Sequence, residues 1–219
     1  FEDGMVVGTT EHCYLDMTQR VRGEKVYIEL DLLADRKGTV DNVASYVGLR
    51  VTQRDQFRAT GPDGIWLAFH DNRIGLITGW PNTGMYTSDI SFATMRHILI
   101  EDDTVNNEIS VYLKEDGGKQ LICRFVIQNE HDVTVYDGNG KSKITHTLGH
   151  DLGRDGFVCF WAPAGNKGKS AFDNVEIRRD NKVRAEYTPT DPETLRDLYG
   201  DTWVGMDDED RLVNYGADD

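Results

Sequence analysis

Basic residues are scarce in this chain. Its 219 residues include 24 Lys and Arg against 38 Asp and Glu, a formal net charge of −14. An acidic surface with no offsetting basic cluster repels phosphates, which argues against nucleic acid as a partner. It also disfavours anionic membranes. It leaves room for neutral sugars, and for uronic acids where a local arginine cluster exists. Long apolar runs are missing as well: no stretch reaches the roughly 18 residues that a membrane span needs. Cysteines number three. Cys13, Cys123 and Cys159 make no C-x-x-C pair of metal-site spacing. Cys123 and Cys159 lie in apolar runs and read as buried free thiols, a disulfide between two of the three being the alternative. There is no phosphate loop, no G-x-S-x-G and no H-E-x-x-H. The nearest histidine cluster, His146 to His150, reads as loop surface.

Alternation is what the chain does have. Lys25 to Leu32 places Val26, Ile28, Leu30 and Leu32 on one side and Tyr27, Glu29 and Asp31 on the other. The same period recurs at Cys13–Met17, Ala44–Gln53, Met95–Asp102, Glu108–Leu113, Gln120–Ile127, Asp132–Tyr136, Gly156–Ala162 and Phe172–Arg179. Such runs between Asp, Asn and Gly clusters are half-buried strands joined as hairpins. Ile65–His70 and Arg73–Thr78 flank Asp71-Asn72, a tight hairpin turn, since both residues tolerate a left-handed backbone. Gly79 to Tyr86 reads as a loop, and so do the polar stretches 35–42 and 103–107. Asp137-Gly138-Asn139-Gly140-Lys141 puts a lysine where a calcium loop needs a ligand, so it reads as a hairpin turn. The fold class expected is all-β, a two-sheet antiparallel jelly-roll sandwich over residues 1–188 with a short C-terminal helical tail.

The tail, residues 189–219, has a different character. Asp191 is a helix N-cap, Pro192 stands at the first helical position and Gly200 follows the end, which predicts a short helix between them. Thr202 to Met206 and the acidic run Asp207–Asp210 then read as a connector or a strap. The chain starts at Phe1 without an initiator methionine, as expected of a processed or excised segment.

Met95 to Asp103, Ile109–Leu113, Val133–Asp137, Gly156–Trp161 and Phe172–Ile177 together resemble the concanavalin A-like lectin and glucanase (laminin-G-like) superfamily, over roughly Val26 to Arg179. The resemblance implies a jelly roll and a secreted, periplasmic or cell-surface location. It implies a polysaccharide or oligosaccharide partner, and a role beside a neighbouring catalytic domain. It also implies a structural calcium ion between the N-terminal segment and the last strand, at Glu2 or Asp3 and Asp173. Calcium wants six to eight oxygens, which carboxylates and backbone carbonyls supply.

Two sets of residues carry candidate chemistry. Glu29 and Asp31, two apart on a strand, project from one face. Glycosidases of this superfamily resemble Glu-x-Asp-x-x-Glu, because an acid/base and a nucleophile must flank one bond. Here Ala34 stands in the third place, so the motif is broken. The aromatic residues make the second set. Sugar rings have apolar C–H faces that lie on aromatic rings. Trp66 and Trp161 sit in apolar runs and belong in a core. Trp80 and Tyr86 sit in a loop, and His70, Asp71 and Arg73 on the neighbouring hairpin can bond hydroxyls. The expected function is therefore carbohydrate binding by a non-catalytic or accessory domain. The alternatives are a glycoside hydrolase or polysaccharide lyase using Glu29 and Asp31, and a purely structural interaction domain.

Overall fold

The structure, a computed structural model, describes residues 6–7, 14–21, 25–36, 45–51, 64–77, 83–115, 117–128, 132–147, 156–162, 168–179, 204–206 and 212–214. These residues form strands, turns and bends. The strands are β1 (Val6–Val7), β2 (Tyr14–Val21), β3 (Lys25–Arg36), β4 (Ser45–Val51), β5 (Ile65–His70), β6 (Arg73–Ile77), β7 (Thr83–Thr87) and β8 (Arg96–Asp103). They continue as β9 (Glu108–Leu113), β10 (Gln120–Gln128), β11 (Asp132–Asp137), β12 (Ser142–Thr147), β13 (Gly156–Trp161) and β14 (Gly168–Arg179), with a separate pair β15 (Val204–Met206) and β16 (Leu212–Asn214). One sheet has eight strands in the order β1-β14-β3-β8-β9-β10-β11-β12, and the other six in the order β2-β13-β4-β5-β6-β7. Every pairing is antiparallel, so the expected two-sheet sandwich is what forms.

The alternation read from the sequence decides which face goes inside. Ile28, Leu30 and Leu32 of β3, Ile98 and Ile100 of β8, and Phe125 of β10 point inward from the eight-stranded sheet. Val47 and Leu49 of β4, Leu67 and Phe69 of β5, and Phe160 of β13 meet them from the six-stranded one. Phe160 and Phe172 touch edge-to-face across the two sheets at 5.3 Å. At one end Phe92 plugs the gap, edge-to-face with Phe69 at 5.3 Å. Its carbonyl accepts from Ala34 N–H at 2.7 Å, and its own N–H donates to Asp71. Burying a side chain of this size stabilises by about 1.5–3 kcal/mol each.

Among the described residues, one buried ion pair crosses from sheet to sheet. Asp102 follows Ile98 and Ile100 on the inward face of β8, and Arg50 reaches it from β4. Arg50 Nε donates to both carboxylate oxygens at 3.2 and 3.0 Å, and its terminal nitrogen lies 2.5 Å from Oδ1. A third arm donates to Asn107 Oδ1 at 3.2 Å. The side chains are 2% and 3% exposed, so this is a fully desolvated ion pair. Arg50 achieves it from a left-handed backbone, φ 53°. The strand bulges there, since the register against β13 slips between Phe157 and Cys159. Two glycines make room: a Cβ at Gly156 would stand 2.4 Å from the Arg50 carbonyl carbon, and one at Gly64 2.8 Å from the Leu49 carbonyl oxygen.

Several boundaries differ from expectation. β3 runs on to Arg36 and carries Ala34 into the core, where a loop is expected from residue 35. β7 occupies part of the expected loop 79–86, and β12 is a strand that the alternation does not announce. Both are outermost strands of their sheets, with little apolar content to signal them. The expected helix Asp191–Gly200 lies outside the described residues. Within the connector the described residues form the β15–β16 hairpin.

Candidate functional site

Glu29 and Asp31 do share a face, the outer one of the eight-stranded sheet, and neither stands alone. β8 brings His97 between them: Nδ1 lies 2.6 Å from Asp31 Oδ1 and Nε2 2.8 Å from Glu29 Oε1. Lys114, following β9, reaches Glu29 Oε1 at 2.5 Å, and Arg178 of β14 donates to Oε2 at 2.7 Å. Asn174 donates to Asp31 Oδ2 at 2.6 Å from a left-handed bulge, φ 48°. The Lys114 hydrogen bond, opposed by burial and aided by His97, holds the Glu29 carboxyl below its ordinary range. Burial works against charge on His97, but its bonds to Glu29 and Asp31 outweigh it and raise the imidazole above its ordinary value. A glycosidase acid needs the opposite shift, up toward neutrality. A lyase base needs a free ring nitrogen, and both nitrogens of His97 face carboxylates. His97, Lys114, Asn174 and Arg178 are the members of this cluster that reading the sequence missed; for His97 the available signal was its alternation with Ile98 on β8.

The aromatic residues divide between faces. Trp66, Trp161 and Tyr46 are buried, though not between the sheets. They form a second cluster with Val51, Ala68 and Cys159 on the outer face of the six-stranded sheet. Tyr46 and Trp161 stack at 4.4 Å and 20°. His70 is buried beside them, its ring 6.3 Å from Tyr46. β4 and β5 are buried along every residue, which is why their runs contain so few polar positions. Arg73 pairs with His70 and with Thr87, and so belongs to this outer face. Asp71 sits at the hairpin turn with φ 39°, and its carboxylate accepts from Ser91 Oγ at 3.2 Å. Trp80 lies outside the described residues.

Tyr86 faces the other way. It stands opposite Ile74 in the register and packs partly against the main core. There it forms one wall of an open cleft of about 650 Å³, between the β7 end of one sheet and the β10–β12 end of the other. The segment Thr87–Ile90 continues that wall. Gln120 to Ile122, the turn Asp137–Asn139, and Lys143 with Ile144 line the opposite side. The turn is the expected hairpin. Asp137 Oδ1 accepts from the N–H groups of Asn139 at 3.0 Å and Lys141 at 2.9 Å, and Gly140 has φ 77°. Gly138 is pressed to the floor, where a Cβ would come 2.3 Å from the Leu121 carbonyl oxygen. Asp137 and Lys143 pair at 3.1 Å. Among the described residues, the side chains of Asp89, Gln120 and Asn139 form no hydrogen bond or ion pair of their own, and all three are exposed. Burial first, then Cys123, Asp137 and Asp89, hold the Tyr86 hydroxyl above its ordinary value, so it stays a neutral donor.

Asp173 accepts from Asn174 N–H at 2.8 Å and faces Asp31 across the β3–β14 pair. Glu2 and Asp3 lie outside the described residues. Among the described residues no three His, Cys, Asp or Glu side chains gather as metal ligands. Asp173 alone does not make a calcium site, which needs six to eight oxygens. Cys123 and Cys159 are both buried, and burial pushes the Cys123 thiol far up.

No family model matches the chain, and no curated protein matches it. Solved structures are similar to it. A seed lectin from Lotus tetragonolobus has 9% identity and a TM-score of 0.47, covering 82% of this chain and 90% of the lectin. A legume lectin-like domain from Entamoeba histolytica has 11% identity and a TM-score of 0.44, covering 81% and 82%. An alginate lyase of polysaccharide lyase family 7 has 13% identity and a TM-score of 0.41, covering 80% and 78%. Likeness at this level transfers no residue and no role.

Proposed function

We propose that this chain binds carbohydrate through the Tyr86 cleft, as a non-catalytic or accessory domain of a secreted or cell-surface polysaccharide-utilisation protein. One observation carries the reading: a cleft of about 650 Å³ that sets a tyrosine wall beside exposed, uncommitted Asp89, Gln120 and Asn139. Its volume lies within the several hundred Å³ usual for small-ligand sites. A sugar presents an apolar C–H face and a rim of hydroxyls. The first lies on an aromatic ring, and the second wants donors and acceptors not already spent. In the cluster around Glu29 and Asp31, by contrast, both carboxylates are already held by His97, Lys114, Arg178 and Asn174.

The test is retention in affinity gels and on glycan arrays of plant, algal and microbial polysaccharides, with Tyr86→Ala beside the parent chain. Retention that falls at least about tenfold in the variant supports the cleft; an aromatic–sugar contact of about 1.4 kcal/mol has that size. Retention unchanged by Tyr86→Ala removes the cleft from the reading. Sugar release abolished by Glu29→Gln would establish the hydrolase or lyase instead. A parallel run with EDTA asks whether Glu2, Asp3 and Asp173 hold a calcium ion that retention needs.

A further inference from the structure

We infer that the Tyr86 cleft selects neutral sugar residues over uronates, and that Asp89 is the residue that enforces the choice. The inference rests on the carbohydrate reading of that cleft and deepens it. Among the described residues, three charged side chains line the cleft: Asp89, Asp137 and Lys143. Lys143 lies 3.1 Å from Asp137, whose other oxygen is fixed by two backbone N–H groups of its own turn. That pair is already balanced, and the lysine has no unspent charge for a ligand. Asp89 is exposed and has no such partner among the described residues. The cleft therefore holds one unbalanced negative charge. An incoming carboxylate meets repulsion there, whereas a hydroxyl meets a strong acceptor.

Recognition of a carboxylate is a task for a forked, permanently charged guanidinium. No arginine lines the cleft among the described residues. Arg73 is near in the register, opposite Thr87, but it belongs to the outer face of the sheet, whereas Tyr86 turns inward. The overall charge of −14 works in the same direction at longer range.

Oligosaccharides of one linkage that differ only at C6 test this directly: β-1,4-linked mannose against mannuronate, and glucose against glucuronate. Affinities are measured by calorimetry for the parent chain, Asp89→Asn, Asp89→Lys and Tyr86→Ala. The neutral oligomer should bind the parent at least about tenfold tighter than its uronate twin, the scale of one partly screened charge pair at several ångströms. Asp89→Asn should narrow that ratio, and Asp89→Lys should invert it. Added salt should shrink the ratio, since exposed charges are screened over about 8–10 Å. A parent chain that binds the uronate as tightly as the neutral twin overturns the inference while leaving the cleft intact. So does a ratio untouched by Asp89→Lys. Binding of neither class, with the fold intact by circular dichroism, overturns the carbohydrate reading and this inference with it.

Discussion

Removing either partner of the Arg50–Asp102 pair should cost more than any other single polar change in the described core. The Asp102→Leu variant leaves the Arg50 guanidinium buried at 2% exposure and takes away the carboxylate that lies 2.5 Å from it. Removing one partner of a buried ion pair costs about 3–5 kcal/mol. For a chain of this length, roughly 2–4 °C in Tm accompanies each kcal/mol, which gives a fall of about 6–20 °C. Arg50→Met strands the carboxylate instead and should cost a similar amount. The double variant Arg50→Met with Asp102→Leu removes both charges. Replacing a buried pair by apolar groups of similar size is often near neutral, so it should recover most of the loss. Methionine keeps the left-handed cost that arginine already bears at φ 53°, so that term cancels. Urea denaturation of all four chains at constant m closes the cycle. A coupling below about 1 kcal/mol, or losses that simply add, would refute a clasp between the sheets.

Two further outcomes follow from the outer face and the cleft floor. His97 has its pKa raised in the folded chain, so its bridge contributes fully below the unfolded value of about 6.5 and loses that contribution as pH climbs through the folded one. Glu29, shifted down, stays charged in the same window. The stability gap between the parent chain and His97→Gln should thus be largest near about pH 5.5 and shrink toward about pH 8.5. Its size should be about 0.2–1 kcal/mol, because the ring is partly in water; a gap that widens with pH would contradict the bridge. Gly138→Ala drives a methyl group against the Leu121 carbonyl. It should cost about 1–3 kcal/mol in denaturant and weaken glycan retention together. Loss of neither would mean that the turn does not brace the cleft.

The fold was legible wherever one face of a strand meets the core, because period-two burial writes itself into the residues. Val26 to Leu32 and Ile98 to Ile100 are examples. β12 was not legible: of Ser142 to Thr147 only Ile144 is apolar, and an outermost strand needs no more. Trp66 and Trp161 read correctly as buried, but their address did not. A sheet buried on both faces gives the same apolar run wherever its aromatic residues point. Tyr86 was legible as a candidate, while its neighbours in the cleft were not. Asp89, Gln120 and Asn139 come from three separate segments, and only strand register sets them around one cavity. The carboxylates at 29 and 31 were legible as a same-face pair. Their engagement by Lys114, Arg178 and Asn174 depends on pairings across the sheet that spacing alone does not carry.

The strand order has a consequence for how the chain acquires its shape. β13 lies between β2 and β4, and β14 between β1 and β3. The last strands of the sandwich are therefore inserted among the first. Residues 96–147 can zip up through neighbouring hairpins, each closing a short loop. β3 and β4 must wait for partners made more than a hundred residues later, Leu32 for Phe172 and Tyr46 for Trp161. Non-local pairing of this kind makes folding slow, in the range of milliseconds to seconds. During synthesis one edge of β4 stays unmatched until residue 161 has emerged and one edge of β3 until residue 179, so nascent chains halted before those points are the species a chaperone must hold.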